Sequence, residues 1–400
     1  MKPLFKGKHF ITLEDWKKSE IETLLEVSVD LKKKFYNNED TDFLRNKSAF
    51  LMFFEQSTRT RNSMEAGIAQ LGGHANFLDT STMQISHGES AKDTAVILSS
   101  YGHGIACRNC FWEIGNKFLN NMAKHSTVPI MNLQCDLYHP MQGLADLMTI
   151  KEFHEDTKKL KVSVIWAYAT SHKKPISVPL TQILLFPRYG MDVTLAYPKG
   201  YDLPKWAVDK AMLNAKENGG SLKITHDMEE AFKDADIVIP KNWGSWVTNQ
   251  STAVIDDLLE SYKSWKCTED MIALASPNVH YMHALPADRG NEVEDSVIDG
   301  KHSIVYQEAE NYISKFHYSE NALLFNSGYD ANVGFFSAVP QRNDVILFDE
   351  LAHASIRDGI QLSNAKSYKF QHNDFEDLER IILKLTPENQ QTSTIFVVTE

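Results

Sequence analysis

Cysteine is scarce: four residues in 400 (Cys107, Cys110, Cys135 and Cys267) do not make the disulfide framework of a small secreted domain. Long apolar runs are missing too. None approaches the roughly 18 residues of a membrane span, and 49–54 (AFLMFF) reads as a short buried strand. The opening MKPLFKGKHF has no apolar stretch of the secretory-signal kind. Positive charge is in deficit, with 41 lysines and arginines against 53 acids and a net charge of −12. That balance argues against a nucleic-acid binder, which needs a basic footprint, and leaves room for a local patch that holds a small anion. The phosphate loop G-x-x-x-x-G-K-[ST] does not occur, which argues against a P-loop nucleotide site. Internal repeats and low-complexity stretches are also lacking. What remains, 42% hydrophobic and 24% charged, has the make-up of a cytoplasmic enzyme of two or three domains.

Runs rich in β-formers alternate with helical patterns. Strands are expected at 48–54, 74–78, 104–107, 128–133, 162–167, 192–197, 222–225, 236–240 and 279–283. Between them, Met64, Ile68 and Leu71 recur at helical spacing over 64–71, with Gly72-Gly73 as the stop, and 142–153 repeats the pattern. The segment 12–35 is expected as one long amphipathic helix, capped by Thr12 with Asp15 three residues on. This alternation predicts an α/β fold with two parallel sheets covered by helices. The charged stretch 154–161 marks the seam between a domain over 1–150 and another over 151–313. From about Ser314 the character changes. The stretches 320–339 and 345–360 read as a fresh α/β unit spanning 314–400, and the strand-like ending IFVVTE suggests a truncated domain.

Three motifs sit where strands hand over to helices or loops. Ser57-Thr58-Arg59-Thr60-Arg61 follows the first strand and opens a helix. A helix start offers unpaired N–H groups and a positive dipole end, and arginine grips an oxyanion bidentately. Ser and Thr at such a place also serve simply as caps, and on residue preference alone the two readings stand even. His139-Pro140-Met141-Gln142, with Asp146 beyond, repeats the arrangement, and His139 and Gln142 can aim at one point. A lone histidine is more often structural than functional, so the position after a strand carries the functional reading. Met282 through Gly290 (MHALPADRG) follows the last strand; its bland reading is a Pro- and Gly-rich turn. A single Cys107-x-x-Cys110 pair is weak support for zinc, and no metal is expected.

Taken together, FFEQSTRTRNSMEAGIAQLGGHA, HPMQGLADLMTI and MHALPADRGNEV resemble the signatures of the aspartate/ornithine carbamoyltransferase family over about residues 12–311. The resemblance implies two parallel-sheet, Rossmann-like domains, the first for carbamoyl phosphate and the second for an amino-acid or amine acceptor. It implies a homotrimer with shared sites, no cofactor, and neither nucleic acid nor membrane as partner. Ser57, Thr58, Arg59 and Thr60 would hold the phosphate, and Arg108, His139 and Gln142 would polarise the carbamoyl carbonyl. Gln84 and His87, in MQISHGES, would reach a neighbour's site. His283, Ala284, Leu285 and Pro286 would face the acceptor.

The chain also departs from the family pattern. Ala284 stands where ornithine enzymes carry a cysteine, and Pro240-Lys241-Asn242-Trp243-Gly244 lacks their aspartate, which argues against free ornithine. KNWGSW and WAYATSHKKPISVP resemble the knotted branch that includes acetylornithine and succinylornithine enzymes. That likeness implies a knot threaded by the loop 174–179, with Trp243 and Trp246 lining an acceptor pocket; the alternative for both is a core aromatic. In Glu308-Ala309-Glu310-Asn311-Tyr312 a tyrosine replaces the family's arginine, and the long C-terminal helix is missing. An impaired binding or assembly subunit is therefore the second reading. The stretch 314–400 resembles part of the α-oxoamine synthase family, a partial pyridoxal-phosphate fold. Gly328-Tyr329 matches its phosphate-side turn and His353 its ring-stacking histidine. The chain stops before that family's cofactor aspartate and Schiff-base lysine, so pyridoxal-phosphate acyltransferase chemistry in the tail is not expected.

Overall fold

A computed structural model of the chain describes residues 5–37, 39–171, 174–245, 258–305, 328–385 and 394–399. Two compact units divide between Ala322 and Leu323. The break expected at Ser314, Tyr312 and Trp246 lie outside the described residues.

The first unit holds two parallel sheets. In chain order, Lys18–Tyr36 (α1) is followed by Ser48–Phe53 (β1), Arg59–Gln70 (α2), His74–Asp79 (β2) and Ala91–Tyr101 (α3). Gly104–Asn109 (β3), Gly115–His125 (α4), Ile130–Cys135 (β4) and Pro140–Phe153 (α5) complete the first half. Its strands run in the order β2-β1-β3-β4, all parallel, with Leu51 beside both Phe77 and Ala106. Leu51, Met52, Ile105, Ala106, Cys107, Ile130 and Leu133 are buried within it. Near-continuous apolar runs of this kind mark strands covered on both faces. α2 begins five residues ahead of the stretch that periodicity picked out, and ends where Gly72 takes φ +77°, a conformation that suits glycine.

The second half is built on Lys161–Trp166 (β5), Ser177–Leu185 (α6), Asp192–Ala196 (β6), Lys205–Asn218 (α7), Ser221–Thr225 (β7), Ile237–Lys241 (β8) and His280–Tyr281 (β9). The sheet order is β7-β6-β5-β8-β9, again parallel throughout. Strand order reverses at β1 in one sheet and at β5 in the other, and in open α/β sheets ligands bind beyond the strand carboxyl ends at such points. α5 runs through position 150 to Phe153, past the boundary expected there.

The single opening helix is corrected to two pieces. Thr12 caps only a turn over Leu13–Asp15, the chain is extended at Trp16 and Lys17, and α1 starts anew with Glu20 bonded back to the Lys17 N–H. The cause is tertiary: the Arg188 guanidinium takes the carbonyl oxygens of Leu13 and Trp16 at 2.9 and 2.5 Å. Trp16 packs against Phe5 and Phe10, with the Lys8 ammonium over its ring.

The second unit carries Val345–Asp349 (β10), Lys366–Phe370 (β11) and Ile395–Val398 (β12) in the parallel order β11-β10-β12. Small apolar clusters lie on the two faces, Phe336, Ile346 and Ile360 on one and Val345, Leu347 and Phe370 on the other. Gly328 and Tyr329 open the helix Gly328–Ala338. His353 is the N-cap of Ala354–Leu362, its Nδ1 accepting from the Ser355 N–H at 3.2 Å. No helix among the described residues is long and apolar enough to cross a membrane.

Candidate active site

Within the first unit, the carboxyl ends of five strands meet at a cleft of about 510 Å³. Gln56, Ser57, Thr58, Arg59 and Thr60 enter it after β1, Arg108 from β3, Gln134 from β4, and His139 and Gln142 from the start of α5. Opposite them stand Lys174, Pro175 and Val178 around the start of α6, Lys241 and Asn242 at the end of β8, and His283, Ala284, Leu285 and Pro286 after β9. The three motifs read from the sequence thus converge on one space. Two long helices, α2 and α5, point their N-termini there, and neither Thr58 nor His139 spends its side chain on capping. The plain capping reading of the first motif therefore does not describe Thr58. Thr58 lines the cleft.

Four cations, Arg59, Arg108, Lys174 and Lys241, line this space, and among the described residues no carboxylate does. In a chain of net charge −12, such a concentration marks an anion site. The placement of Arg108 depends on an irregularity in the sheet: pairing of β3 with β4 shifts between Cys107 and Arg108, so that Arg108 lies beside Gln134. The Arg108 guanidinium donates to the Gln134 side-chain oxygen.

His139 is buried, and burial first, then the nearby Arg108 charge, lower its imidazole pKa to about 3. It is a neutral ring at any physiological pH, and its Nδ1 has no partner among the described residues. Gln142 lines the cleft and donates an amide hydrogen to Asp146 at 2.7 Å.

The acceptor side holds a network that sequence reasoning missed. Glu292 is fully buried behind Lys241 and His283, 3.6 Å from the Lys241 ammonium and 3.4 Å from His283 Nε2. It also accepts the N–H groups of Asn242 at 2.7 Å and Asp288 at 2.6 Å. Burial opposes its ionisation, yet the Lys241 and His283 charges and these hydrogen bonds hold the carboxyl well below the usual range. Burial lowers both Lys241 and His283, with Glu292 pulling the other way. Lys241 also donates to the Pro286 carbonyl at 3.0 Å. In the sequence Lys241 registered only as a missing aspartate, and Glu292, although inside the MHALPADRGNEV motif, was not singled out because its partner Lys241 lies 51 residues away.

Three of the sequence-derived candidates stand elsewhere. Trp243 is a core aromatic, 1% exposed, with its indole N–H bonded to the Tyr201 carbonyl, and its own carbonyl accepts from Trp166. That corrects the acceptor-pocket reading. Gln84 and His87 form an exposed turn, Gln84–His87, outside this chain's own cleft. The cysteines are free thiols. Burial pushes Cys110 up to about 12 and Cys135 to about 11, and raises Cys107 and Cys267 as well. No group of three or more His, Cys, Asp or Glu side chains among the described residues could hold a metal ion.

Residues 8–152 match the carbamoyl-P binding domain of aspartate/ornithine carbamoyltransferase, and residues 176–325 match its Asp/Orn binding domain. The chain belongs to the aspartate/ornithine carbamoyltransferase family. By that membership it is a carbamoyltransferase in class. An ornithine carbamoyltransferase of Halalkalibacterium halodurans is 37% identical over 306 residues, 76% of this chain and 92% of that one. Among solved structures, the ornithine carbamoyltransferase from Pyrococcus furiosus superimposes with a TM-score of 0.70 at 33% identity, covering 78% of this chain and 96% of the other. An acetylornithine transcarbamylase complexed with acetylcitrulline gives 0.71 at 30% identity, with 77% and 96% covered. The C-terminal stretch 296–399 matches the aminotransferase class I and II family, so its resemblance to a pyridoxal-phosphate fold holds at that broader level.

Proposed function

We propose that this carbamoyltransferase moves the carbamoyl group of carbamoyl phosphate onto the amine of an amino-acid-like acceptor that carries a carboxylate and no second free ammonium. One observation carries the reading: four cations and two helix N-termini line a cleft that no described carboxylate enters. Arg59, the hydroxyls of Ser57, Thr58 and Thr60, and the N–H groups opening α2 hold the phosphate, which brings about two negative charges. The neutral acceptor amine attacks the carbonyl carbon. Charge builds on the carbonyl oxygen and is met by Arg108, the side-chain amide of Gln142 and the neutral imidazole of His139. The carbon–oxygen bond to phosphate then breaks, and the proton on nitrogen leaves with the phosphate or solvent.

Lys174 faces the acceptor, together with Lys241, which lines the cleft in front of its buried partner Glu292. A lysine where ornithine enzymes carry an aspartate attracts a carboxylate and repels an ammonium, so N-acylated diamino acids fit better than free ornithine. On the same reading the exposed turn Gln84–His87 serves the cleft of a neighbouring copy in a homotrimer. The test supplies carbamoyl phosphate with ornithine, N-acetylornithine, N-succinylornithine, putrescine and aspartate, and follows phosphate release. N-acylated ornithines are expected to exceed free ornithine by roughly a hundredfold in kcat/KM. Release with no acceptor dependence would remove the transfer reading, and putrescine as the best acceptor would remove the anionic one. Arg59→Ala should abolish carbamoyl phosphate binding in calorimetry; undiminished binding would take away the phosphate assignment.

A further inference from the structure

α6 belongs to the acceptor half, and every one of its residues is buried. A helix so placed has no need of polar side chains, and burying an amide or hydroxyl costs free energy unless it is hydrogen-bonded. Yet Ser177 and Thr181, four residues apart on one face, and Gln182 beside Thr181 all reach across to the other half. Ser177 Oγ accepts from Gln134 Nε2 at 2.9 Å, and the other end of that amide receives the Arg108 guanidinium. Thr181 Oγ1 accepts the backbone N–H of His139 at 3.0 Å. Gln182 Nε2 donates to Asp146 Oδ2 at 2.7 Å, while Asp146 Oδ1 receives Gln142 at 2.7 Å. Each of the three bonds ends on a carbonyl-facing residue or on the group that orients one. Close approach of the helices makes this possible: a Cβ at Gly143 of α5 would lie 2.6 Å from the Thr181 methyl carbon.

We propose that the polar face of α6 is a jig, carried by the acceptor half, that sets the geometry of Arg108, His139 and Gln142. Ser177, Thr181, Gln182, Gln134 and Asp146 are then positioning residues for the transfer. The inference rests on the carbamoyl-transfer reading above. It gives the acceptor half a direct hold on the groups that activate the carbonyl, apart from those that grip the phosphate.

The test compares Gln182→Leu, Gln134→Leu and Thr181→Val with the wild type, using Thr181→Ser as the conservative control. For each, calorimetry measures the affinity for inorganic phosphate, which has no carbonyl, and turnover is measured with the best acceptor. The expected result is unchanged phosphate affinity with kcat lower by about a hundredfold, and near wild-type turnover in Thr181→Ser. Unchanged kcat in Gln182→Leu and Gln134→Leu would overturn the proposal, as would parallel loss of phosphate affinity and turnover, which marks a purely structural role. A crystal structure of Gln182→Leu supplies a readout independent of activity. Displacement of the Gln142 amide with the backbone unmoved supports the jig, and an unmoved amide refutes it. If the wild type turns over no acceptor, the transfer reading falls while this last comparison still decides the positioning.

Discussion

Replacing Lys241 with methionine leaves the Glu292 carboxylate buried without its nearest cation. Glu292 has no exposed side-chain surface, and the two charges are 3.6 Å apart. At an effective dielectric constant near 20 their attraction is on the order of 5 kcal/mol, and breaking a buried pair from one side costs about 3–5 kcal/mol. The Asn242 and Asp288 N–H groups still fill one site on each carboxylate oxygen, so the loss belongs at the lower end, about 3 kcal/mol. His283 then changes role. With Lys241 gone, one of the influences that lowers its pKa disappears while Glu292 still raises it. A histidine whose folded pKa rises contributes stability below its unfolded value and loses it as pH climbs through the folded one. The deficit of Lys241→Met should therefore be full near about pH 8 and smaller near about pH 6. All seven tryptophans lie before residue 323, so urea unfolding followed by tryptophan fluorescence reports the first unit alone. Wild-type stability at the higher pH, or a deficit that grows on acidification, would refute this account of the network.

The buried neutral His139 predicts a pH dependence of opposite sense. Its folded pKa of about 3 lies below the ordinary imidazole value of 6.5, so the unfolded chain binds more protons between these limits and stability falls as pH drops through that window. His139→Gln should remove part of that fall, and an NMR titration should show no protonation of His139 between about pH 5 and 8; a midpoint near 6.5 would contradict the burial argument. In the second unit, pyridoxal phosphate should give no saturable aldimine absorption band with the full chain. A band that disappears on truncation after Ala322 would overturn that expectation.

The strands were legible because parallel strands buried on both faces read as apolar runs, and β1, β3, β5 and β8 stand within a few residues of their expected places. The motifs were legible for a related reason: Ser57–Thr60, His139–Gln142 and His283–Pro286 each follow a strand directly, where chain order and spatial position coincide. What was not legible depends on partners distant in sequence. The break at Trp16 is imposed by Arg188, which local periodicity cannot register. Trp243 looks the same whether it lines a pocket or fills a core, and only the Tyr201 carbonyl waiting for its N–H decides. Gln134 stands one residue past the expected strand and carries no signal until a shift of register sets it beside Arg108. Glu292 acquires meaning only when β8 and the turn after β9 are brought together.

The sealed thiols give this molecule an internal clock for its own openings. Cys107 and Cys135 are shut inside the first half and Cys267 inside the second, all without exposed surface, and burial keeps the reactive thiolate scarce. An alkylating reagent can reach them only when the surrounding structure parts. The modification rate at each sulfur, read by mass spectrometry, would time the breathing of the two halves separately without any engineered probe.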